Sequence, residues 1–297
     1  MSVASPARGV RELLRDWRQR RRLSQLDLAS EAEVSTRHLS FVETGRSRPS
    51  RELVLHLADH LDVPLRERNG LLLAAGYAPV YQETPLDATE MTPVREALDK
   101  ILAGHEPFPA VVVDRRWDLV SANRPAMAIL TEGIAPELLA PPVNALRVTL
   151  HPDGLAPRIA NLGEWSSHLL TRLDREAMLS GDAALLALGD ELRRYPGVEA
   201  GSSTAHPAHL LFVPLVLRTP AGQGLRFFST LATFGTALDV TLAELSIESF
   251  FPADERRLPR CAPPGPSSRH GRQEREQLVL HLTLEALVYD VETGPCV

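Results

Sequence analysis

The sequence predicts an α-helical domain at the N-terminus followed by an α+β domain built on an antiparallel sheet. In the first 80 residues, apolar side chains recur at helical spacing between capping signals. In the second half, short strand-like runs stand between turn signals, and helical patterns are inserted among them. A proline-rich segment with few large apolar residues separates the two patterns, and we expect it to be a linker or an extended crossover.

These patterns divide the chain into four segments. The helical domain is expected over 8–80, the linker over 81–93 and the α+β domain over 94–255, and a proline-rich tail of unknown role covers 256–297. The 297 residues suffice for two hydrophobic cores, because 44% of them are hydrophobic and 24% charged, as in ordinary globular proteins.

Five short helices are expected in the N-terminal domain. Val10, Leu14 and Trp17 form one apolar side of the first helix. Serine N-caps begin the next three helices and a proline stands at the head of the fifth, at Ser24, Ser35, Ser50 and Pro64. Gly45 is expected to end the third helix.

The second half supplies the strands. PAVVVD and WDLVSAN predict two strands around a tight corner at 114–116, followed by a helix over 124–130. Residues 155–195 have a helical pattern, and three more strand-like runs follow, the first two joined by a hairpin signal at 220–224. In the last run Glu248 alternates with apolar residues, so we expect it on a solvated face.

Composition excludes several classes of protein. The two cysteines lie near the C-terminus, and there is no long apolar run or secretory signal, so we expect a cytoplasmic protein without a membrane partner. The GxSxG, GxxxxGK[ST], HExxH and complete GxGxxG motifs are missing, which argues against an enzyme, and no cofactor is expected. His206 and His209 have metal-ligand spacing but no third ligand nearby in sequence, so no metal site is predicted.

Charge points to a partner for the N-terminal domain. Residues 1–80 contain 13 arginines against 10 acidic residues, whereas the remainder contains 19 basic against 28 acidic residues. An anionic polymer is therefore expected to bind the N-terminal domain.

The most informative segment is LSQLDLASEAEVSTRHLSFVETGRSRPS, residues 23–50. Two capped helices with a short turn predict a helix-turn-helix, whose second helix enters the major groove of DNA. With Leu39 and Val42 facing inward, its outer surface carries the expected base-reading residues Thr36, Arg37, Ser40 and Phe41.

Other residues around this helix are expected to bind phosphates. Gln25, Arg46 and Arg48 have suitable positions, and His38 is either a phosphate contact or a plain surface residue. The competing interpretation is a bundle of capped amphipathic helices without a role in DNA binding.

The order of these features resembles the Cro-type (XRE) helix-turn-helix, with LSQ opening the second helix, VS before the third and ETGRSRPS at its end. That resemblance implies an ion pair between Glu43 and Arg18. Longer segments, including FPAVVVDRRWDLVSAN and FFSTLATFGTALDVTLAELSIESFFPADE, resemble the MmyB-like regulators over about residues 8–255. This implies a PAS-like ligand-binding domain and a ligand of the fatty-acid type.

A half-covered sheet can enclose an apolar ligand cavity. Its candidate lining is a set of large apolar side chains, Trp117, Trp165, Leu169, Met178, Phe212, Phe227 and Phe228. His168 and Arg172, four residues apart on a helix, are candidate anchors for an acid head group. The alternatives are that the apolar residues only fill the core and that the polar pair faces solvent.

Together these observations predict a DNA-binding transcription regulator whose second domain senses an apolar small molecule. A homodimer is expected, because one short recognition helix contacts too few base pairs to select a genomic site. The alternative is a DNA-binding repressor whose second domain only dimerises and binds no ligand.

Overall fold

A computed structural model describes residues 8–198, 212–218 and 224–253. The expected C-terminal tail, the hairpin turn at 220–223 and the histidines at 206 and 209 lie outside these residues. Within the described ranges, no helix is both long and apolar enough to span a membrane.

The chain forms two compact units that do not follow the sequence order strictly. The first takes in the residues up to Val94 together with Arg175–Ala183 and Phe234–Glu244. The second is built from the remaining segments, which begin at Arg95, Ala184 and Leu245. The two later segments of the first unit were not expected, because a linear sequence pattern does not show which distant segments pack together.

The first unit contains the five predicted helices, α1 (Val10–Arg20), α2 (Gln25–Glu31), α3 (Thr36–Glu43), α4 (Arg51–His60) and α5 (Leu65–Ala74). The three predicted serine caps are confirmed, since the hydroxyls of Ser24, Ser35 and Ser50 accept hydrogen bonds from backbone N–H groups in the first turn. The predicted inward residues form one core that includes Leu14, Trp17, Leu28, Leu39, Val42, Leu57 and Leu72.

Gly45 follows α3 with a φ of +76°, in the left-handed region that favours glycine. The backbone then returns, because the N–H groups of Arg46 and Ser47 both donate to the carbonyl of Phe41, at 2.8 and 3.1 Å. This turn brings the GRSRPS loop back to the last turn of α3.

The segment expected as a linker is anchored within the first unit. The backbone N–H and the hydroxyl of Thr84 donate to the Asp239 carboxylate, at 3.1 and 2.7 Å. The N–H of Val240 donates to the carbonyl of Gln82 at 2.8 Å. Asp239 also caps a one-turn helix over Val240–Ala243. Residues 82–84 are thus held by hydrogen bonds to Phe234–Glu244.

The second unit is built on a five-stranded antiparallel sheet with the order β2-β1-β5-β4-β3. The strands are β1 (Ala110–Val113), β2 (Leu119–Ala122), β3 (Leu215–Arg218), β4 (Gly224–Thr233) and β5 (Ser246–Pro252). The predicted PAS-like sheet with inserted helices is therefore confirmed.

Five longer helices precede the first strand or lie between the second and third strands in sequence. They are α6 (Thr92–Gly104), α7 (Arg124–Thr131), α8 (Ala145–Leu150), α9 (Leu162–Ser180) and α10 (Ala183–Leu192). Short 3-10 turns stand at Thr89–Met91, Pro136–Leu139 and Ala156–Arg158. The helix predicted over 124–130 is α7, and the helical pattern over 155–195 corresponds to α9 and α10. The remaining helices, α6 and α8, were not anticipated.

The prediction that Glu248 lies on a solvated face is wrong. Its residue exposure is 5%, equal to that of the neighbouring Ile247, so both sides of β5 are buried at this point. The side of Glu248 is occupied by Arg172 of α9, whose guanidinium lies 3.4 Å from the Glu248 carboxylate. Strand alternation separates two faces but does not say which of them helices cover.

Candidate DNA-binding surface and ligand cavity

The exposed side of α3 carries most of the predicted base-reading residues. Leu39 and Val42 are buried in the core, as predicted. After the Ser35 cap, Thr36, Arg37 and His38 are exposed at the start of the helix. Ser40 and Phe41 are half-buried. The structure thus brings these side chains to one surface, where the N-terminal part of the helix is open to solvent.

Two arginines are held around the ring of Phe41. The guanidinium carbons of Arg37 and Arg46 lie 5.3 and 5.9 Å from the ring centre. Among the described residues, neither arginine has a carboxylate partner. Their positive charges are therefore available to an anionic polymer.

The other two expected phosphate contacts bind groups inside the bundle. Nε and Nη2 of Arg48 donate to the carbonyl of Ala75, at 3.2 and 2.7 Å, and its guanidinium lies over the ring of Tyr77. The amide of Gln25 donates to the Glu43 carboxylate at 2.7 Å. Both contacts stabilise the helical bundle. The sequence patterns did not indicate this role for Arg48 and Gln25.

The ion pair implied by the family resemblance is present at the end of α3. Nε and Nη2 of Arg18 donate to the two carboxylate oxygens of Glu43, at 2.7 and 2.9 Å. Burial of the Glu43 side chain opposes its ionised form, but the hydrogen bonds from Arg18 and Gln25 and the nearby charge of Arg15 outweigh it and lower the pKa of Glu43. The carboxylate thus stays ionised inside the bundle and fixes α3 to α1.

In the second unit, the predicted corner after β1 positions a cavity residue. The Asp114 carboxylate accepts hydrogen bonds from the N–H groups of Arg116 and Asp118, at 2.8 and 2.9 Å. Burial raises the pKa of Asp114 despite these bonds. The turn holds Trp117 at a φ of +65°, a costly backbone conformation for a bulky residue. Trp117 is buried, and the Arg172 guanidinium lies 4.2 Å from its ring centre.

An apolar cavity of about 80 Å³ lies between the sheet and the helices of this unit. Four predicted ligand residues line it, namely Trp117, Trp165, Leu169 and Phe227. Most of the other lining residues were not predicted, and they include Glu248 and Phe250. Sequence reasoning missed Glu248 because a glutamate in an alternating strand usually faces solvent.

The other predicted ligand residues do not line this cavity. Phe228 follows Phe227 on β4 and so points to the opposite face, where its ring contacts those of Phe212 and Phe251 at 5.4 and 5.3 Å. Phe212 is itself 49% exposed. Met178 is 57% exposed and belongs to the part of α9 that lies in the first unit.

The two candidate anchors do not line the cavity, but both contact residues that do. The ring of His168 packs against that of Trp165 at a tilt of 33°, with ring centres 5.5 Å apart. Arg172 is bound to Glu248 and to the ring of Trp117, both of which line the cavity. Neither anchor faces solvent fully, since both are half-buried.

One residue that lines the cavity also has a buried polar atom without a hydrogen-bond partner among the described residues. The indole Nε1 of Trp165 is buried and makes no hydrogen bond. Trp165 is 2% exposed, and a water-sized molecule touches the atom neither from the solvent nor from the cavity. A buried donor without an acceptor is unfavourable and rare in proteins.

Comparison with known proteins finds two family models that match the chain. A family model described as helix-turn-helix domain matches residues 10–71. A second, described as MmyB-like transcription regulator ligand binding domain, matches residues 94–258, which is more than half of the chain. A search of curated proteins finds no match. The chain therefore belongs to the MmyB-like transcription regulators, as a DNA-binding helix-turn-helix protein with a ligand-binding domain.

Proposed function

We propose that the protein binds duplex DNA as a homodimer and that an apolar small molecule in the second unit changes this affinity. The observation that carries the DNA-binding part is the exposed N-terminal half of α3 with Arg37 and Arg46 around Phe41. A helix presented in this way enters the major groove with its first residues at the base edges. The proposed role is regulatory rather than enzymatic.

Within this proposal, the residues of α3 and of the segments beside it divide into two roles. Arg37 forms a bidentate pair with guanine, Thr36 and Ser40 bond to base edges, and the half-buried ring of Phe41 meets a thymine methyl. Binding to the DNA backbone falls to Arg46, with Gln25, His38 and Arg48 as secondary candidates. Arg46 leads because Gln25 and Arg48 already have hydrogen-bond partners in the bundle.

The homodimer follows from the small reach of one recognition helix. Two copies of α3 related by a two-fold axis would read a palindrome whose half-sites lie about 34 Å apart, or a multiple of that distance. Sedimentation of the full chain with labelled DNA measures the stoichiometry. A monomer bound to a single half-site at working concentrations would disprove the dimer.

The ligand-sensing part rests on the cavity. Its volume of about 80 Å³ is below the roughly 150 Å³ of a cavity that holds benzene and the roughly 300–1,000 Å³ of common ligand sites. A fatty acid, the ligand type that the family resemblance implies, would therefore need the cavity to expand. Such a ligand would favour an expanded conformation, and it can change DNA affinity only through a difference in affinity for the two conformations.

Selection of bound duplexes from a random pool tests the DNA-binding part. The full chain and its Arg37→Ala variant are used in parallel, and we expect a palindrome to be enriched by the wild type and a relaxed preference with the variant. Recovery of the unselected pool by the wild type would refute the proposal.

Native mass spectrometry and calorimetry test the sensing part. Purified protein is examined for a bound lipid-sized molecule, and fatty acids of increasing length are titrated into the full chain with and without the selected DNA. Tight binding with unchanged DNA affinity would remove the sensing role. Binding of no apolar molecule would leave a second domain that only dimerises.

A further inference from the structure

One side of α1 carries positive charge to the end of the proposed recognition helix. Arg11, Arg15 and Arg18 are spaced four and three residues apart, so they lie on the same side of α1. Arg15 and Arg18 contact Glu43, the last residue of α3. Nη1 of Arg11 lies 2.9 Å from the place that a Cβ on Gly45 would take, beside the turn that follows α3. Neither Arg11 nor Arg15 was expected from the sequence to bind DNA.

The charges around Glu43 leave a surplus at Arg15. Two hydrogen bonds from Arg18 and one from Gln25 occupy the Glu43 carboxylate, at 2.7, 2.9 and 2.7 Å. Nε of Arg15 lies 3.9 Å from one oxygen of this carboxylate. Arg15, Arg18 and Glu43 thus combine two cations with one anion. The Glu43 side chain is wholly buried whereas that of Arg15 is 50% exposed, so the surplus positive charge faces solvent.

Arg11 borders an open groove beside the turn that follows α3. The groove lies between the start of α1 and the loop after α3, and its lining from these segments includes Arg8, Gly45, Ser47 and Arg48. The Arg11 guanidinium pairs with Glu12, which also lines the groove, at 2.5 Å. Both side chains of this pair are about half exposed. Because exposed ion pairs contribute little to stability, a phosphate can replace Glu12 as the partner of Arg11.

The length of α3 indicates where a DNA backbone would run. Its eight residues span about 12 Å at 1.5 Å a residue, which is about the width of the major groove. A helix with its first residues at the base edges therefore has its last turn close to a phosphate strand that bounds the groove. Arg46, in the turn after α3, is the leading backbone contact of the proposed function. Arg11 and Arg15 lie beside this turn and the last residue of α3.

We propose that Arg11 and Arg15 bind phosphates of the DNA strand that passes the end of α3, so that α1 is part of the DNA-binding surface. This inference rests on the proposed DNA-binding function and adds two backbone contacts to it. Since phosphates are the same at every base pair, both contacts strengthen binding without selecting a sequence. Arg18 is not one of these contacts, because its guanidinium is bound to Glu43 and to the carbonyl of Leu23.

The salt dependence of DNA binding tests the proposal on the full chain. Arg11→Gln and Arg15→Gln each remove one charge and keep a polar side chain. Fluorescence anisotropy measures their affinity for the selected duplex between about 50 and about 200 mM salt. We expect each variant to lose about one unit of the slope of log affinity against log salt, and the double variant about two. The affinity deficit of each single variant should therefore shrink about 3.5-fold over this range, and its base preference should not change.

Two further variants serve as controls. Arg20→Gln removes the same charge from the same helix, but Arg20 is five residues from Arg15, about 140° around the helix axis. Its Nη1 donates to the carbonyl of Ser180 at 3.4 Å, so the slope should stay at the wild-type value. Arg15→Lys keeps the charge and should keep the wild-type slope, because lysine binds phosphate as a point charge.

Urea denaturation separates a DNA contact from a structural role. Both arginines are about half exposed, so we expect Arg11→Gln and Arg15→Gln to be about as stable as the wild type. A loss of stability in Arg15→Gln with an unchanged salt slope would show that Arg15 only supports Glu43, and would overturn its assignment.

The remaining outcomes distinguish this inference from the proposed function. Unchanged slopes in both variants, with tight DNA binding by the wild type, would overturn the inference and leave the proposed DNA-binding function intact. A changed base preference in either variant would overturn its role as a backbone contact. Absence of duplex binding by the wild type would overturn both the inference and the function on which it rests.

Discussion

Glu43 and Arg18 form an ion pair with two hydrogen bonds, at 2.7 and 2.9 Å, between the last turn of α3 and α1. The Glu43 side chain is wholly buried and that of Arg18 is 11% exposed. A third hydrogen bond joins Arg18 to the carbonyl of Leu23, just before α2. The pair thus connects the proposed recognition helix to the two elements that precede it.

Removal of one partner should destabilise the first unit strongly. Glu43→Ala leaves the Arg18 cation without its carboxylate, and we expect a loss of about 3–5 kcal/mol in the free energy of unfolding. The double variant Arg18→Met, Glu43→Leu should lose much less, because no buried charge is left alone. Urea denaturation measures both, with the exposed Glu31→Gln as control. Equal losses in the single and double variants would contradict this account.

The same pair predicts a pH dependence of stability. The folded state lowers the pKa of Glu43 below its usual value of 4.5. Its contribution is therefore complete above pH 4.5 and is lost as the pH falls through the lowered folded-state value. In urea titrations from about pH 6 to pH 3, Glu43→Gln should show a shallower decline than the wild type. Parallel curves would show that Glu43 is not a source of the decline.

The N-terminal unit was largely predictable because its signals are local. The caps at Ser24, Ser35 and Ser50 act within one turn, and apolar spacing defines which side of each helix is buried. The partners of Gln25 and Arg48 were not predictable, because the acceptors, Glu43 and the Ala75 carbonyl, are distant in sequence. The inclusion of residues 234–244 in this unit was not predictable either, because these residues are also distant in sequence from the helices.

The cavity was predictable only in part. Aromatic residues in the second half suggested an apolar interior, and four of the predicted residues line the cavity. Exposed Met178 and Phe212 show that size and apolarity do not place a side chain inside. Glu248 is buried because α9, which carries Arg172, covers that part of β5. This packing depends on the tertiary structure, so the sequence pattern of the strand does not show it.

Substitution of two arginines should separate base reading from phosphate binding. Arg37→Ala is expected to lose about 1–3 kcal/mol on the selected site and to relax the preference at one base position. Arg46→Ala should weaken all sequences alike and reduce the salt dependence of binding by about one unit of slope. Fluorescence anisotropy at several salt concentrations measures both.

Arg48→Ala is the informative comparison for these two variants. Because Arg48 binds the carbonyl after α5, its loss should lower stability as well as affinity. The assignment fails if Arg46→Ala alters base preference while Arg37→Ala leaves it unchanged.

Two adjacent leucines of α9 separate core packing from the cavity. Leu169 and Leu170 are both buried, but only Leu169 lines the cavity. Each change to alanine should cost about 2–5 kcal/mol of stability. Only Leu169→Ala should enlarge the cavity and increase affinity for benzene, measured by calorimetry on the full chain. The same gain in Leu170→Ala would show that the cavity is not the binding site.

Glu244 offers a test of how a ligand would alter DNA binding. Its carboxylate accepts two hydrogen bonds from Arg66 of α5, at 2.8 and 2.9 Å. It ends the segment Phe234–Glu244, which belongs to the first unit and is continuous in sequence with β4 and β5. Those strands supply Phe227 and Glu248 to the cavity. We therefore expect a ligand that displaces the strands to shift this segment as well.

We therefore expect Glu244→Gln to reduce the effect of a ligand on DNA affinity. Coupling of the usual size, about 1–3 kcal/mol, changes affinity roughly 5–150-fold in the wild type. The variant should retain its affinity for DNA alone and for the ligand alone. The factor by which the ligand changes DNA affinity should be smaller than in the wild type. Glu83→Gln is the matched control, because Glu83 also pairs with Arg66, at 2.6 Å, but lies outside the segment. DNA titrations with and without a saturating ligand give the factor, and an unchanged factor in Glu244→Gln would show that this ion pair does not transmit the effect.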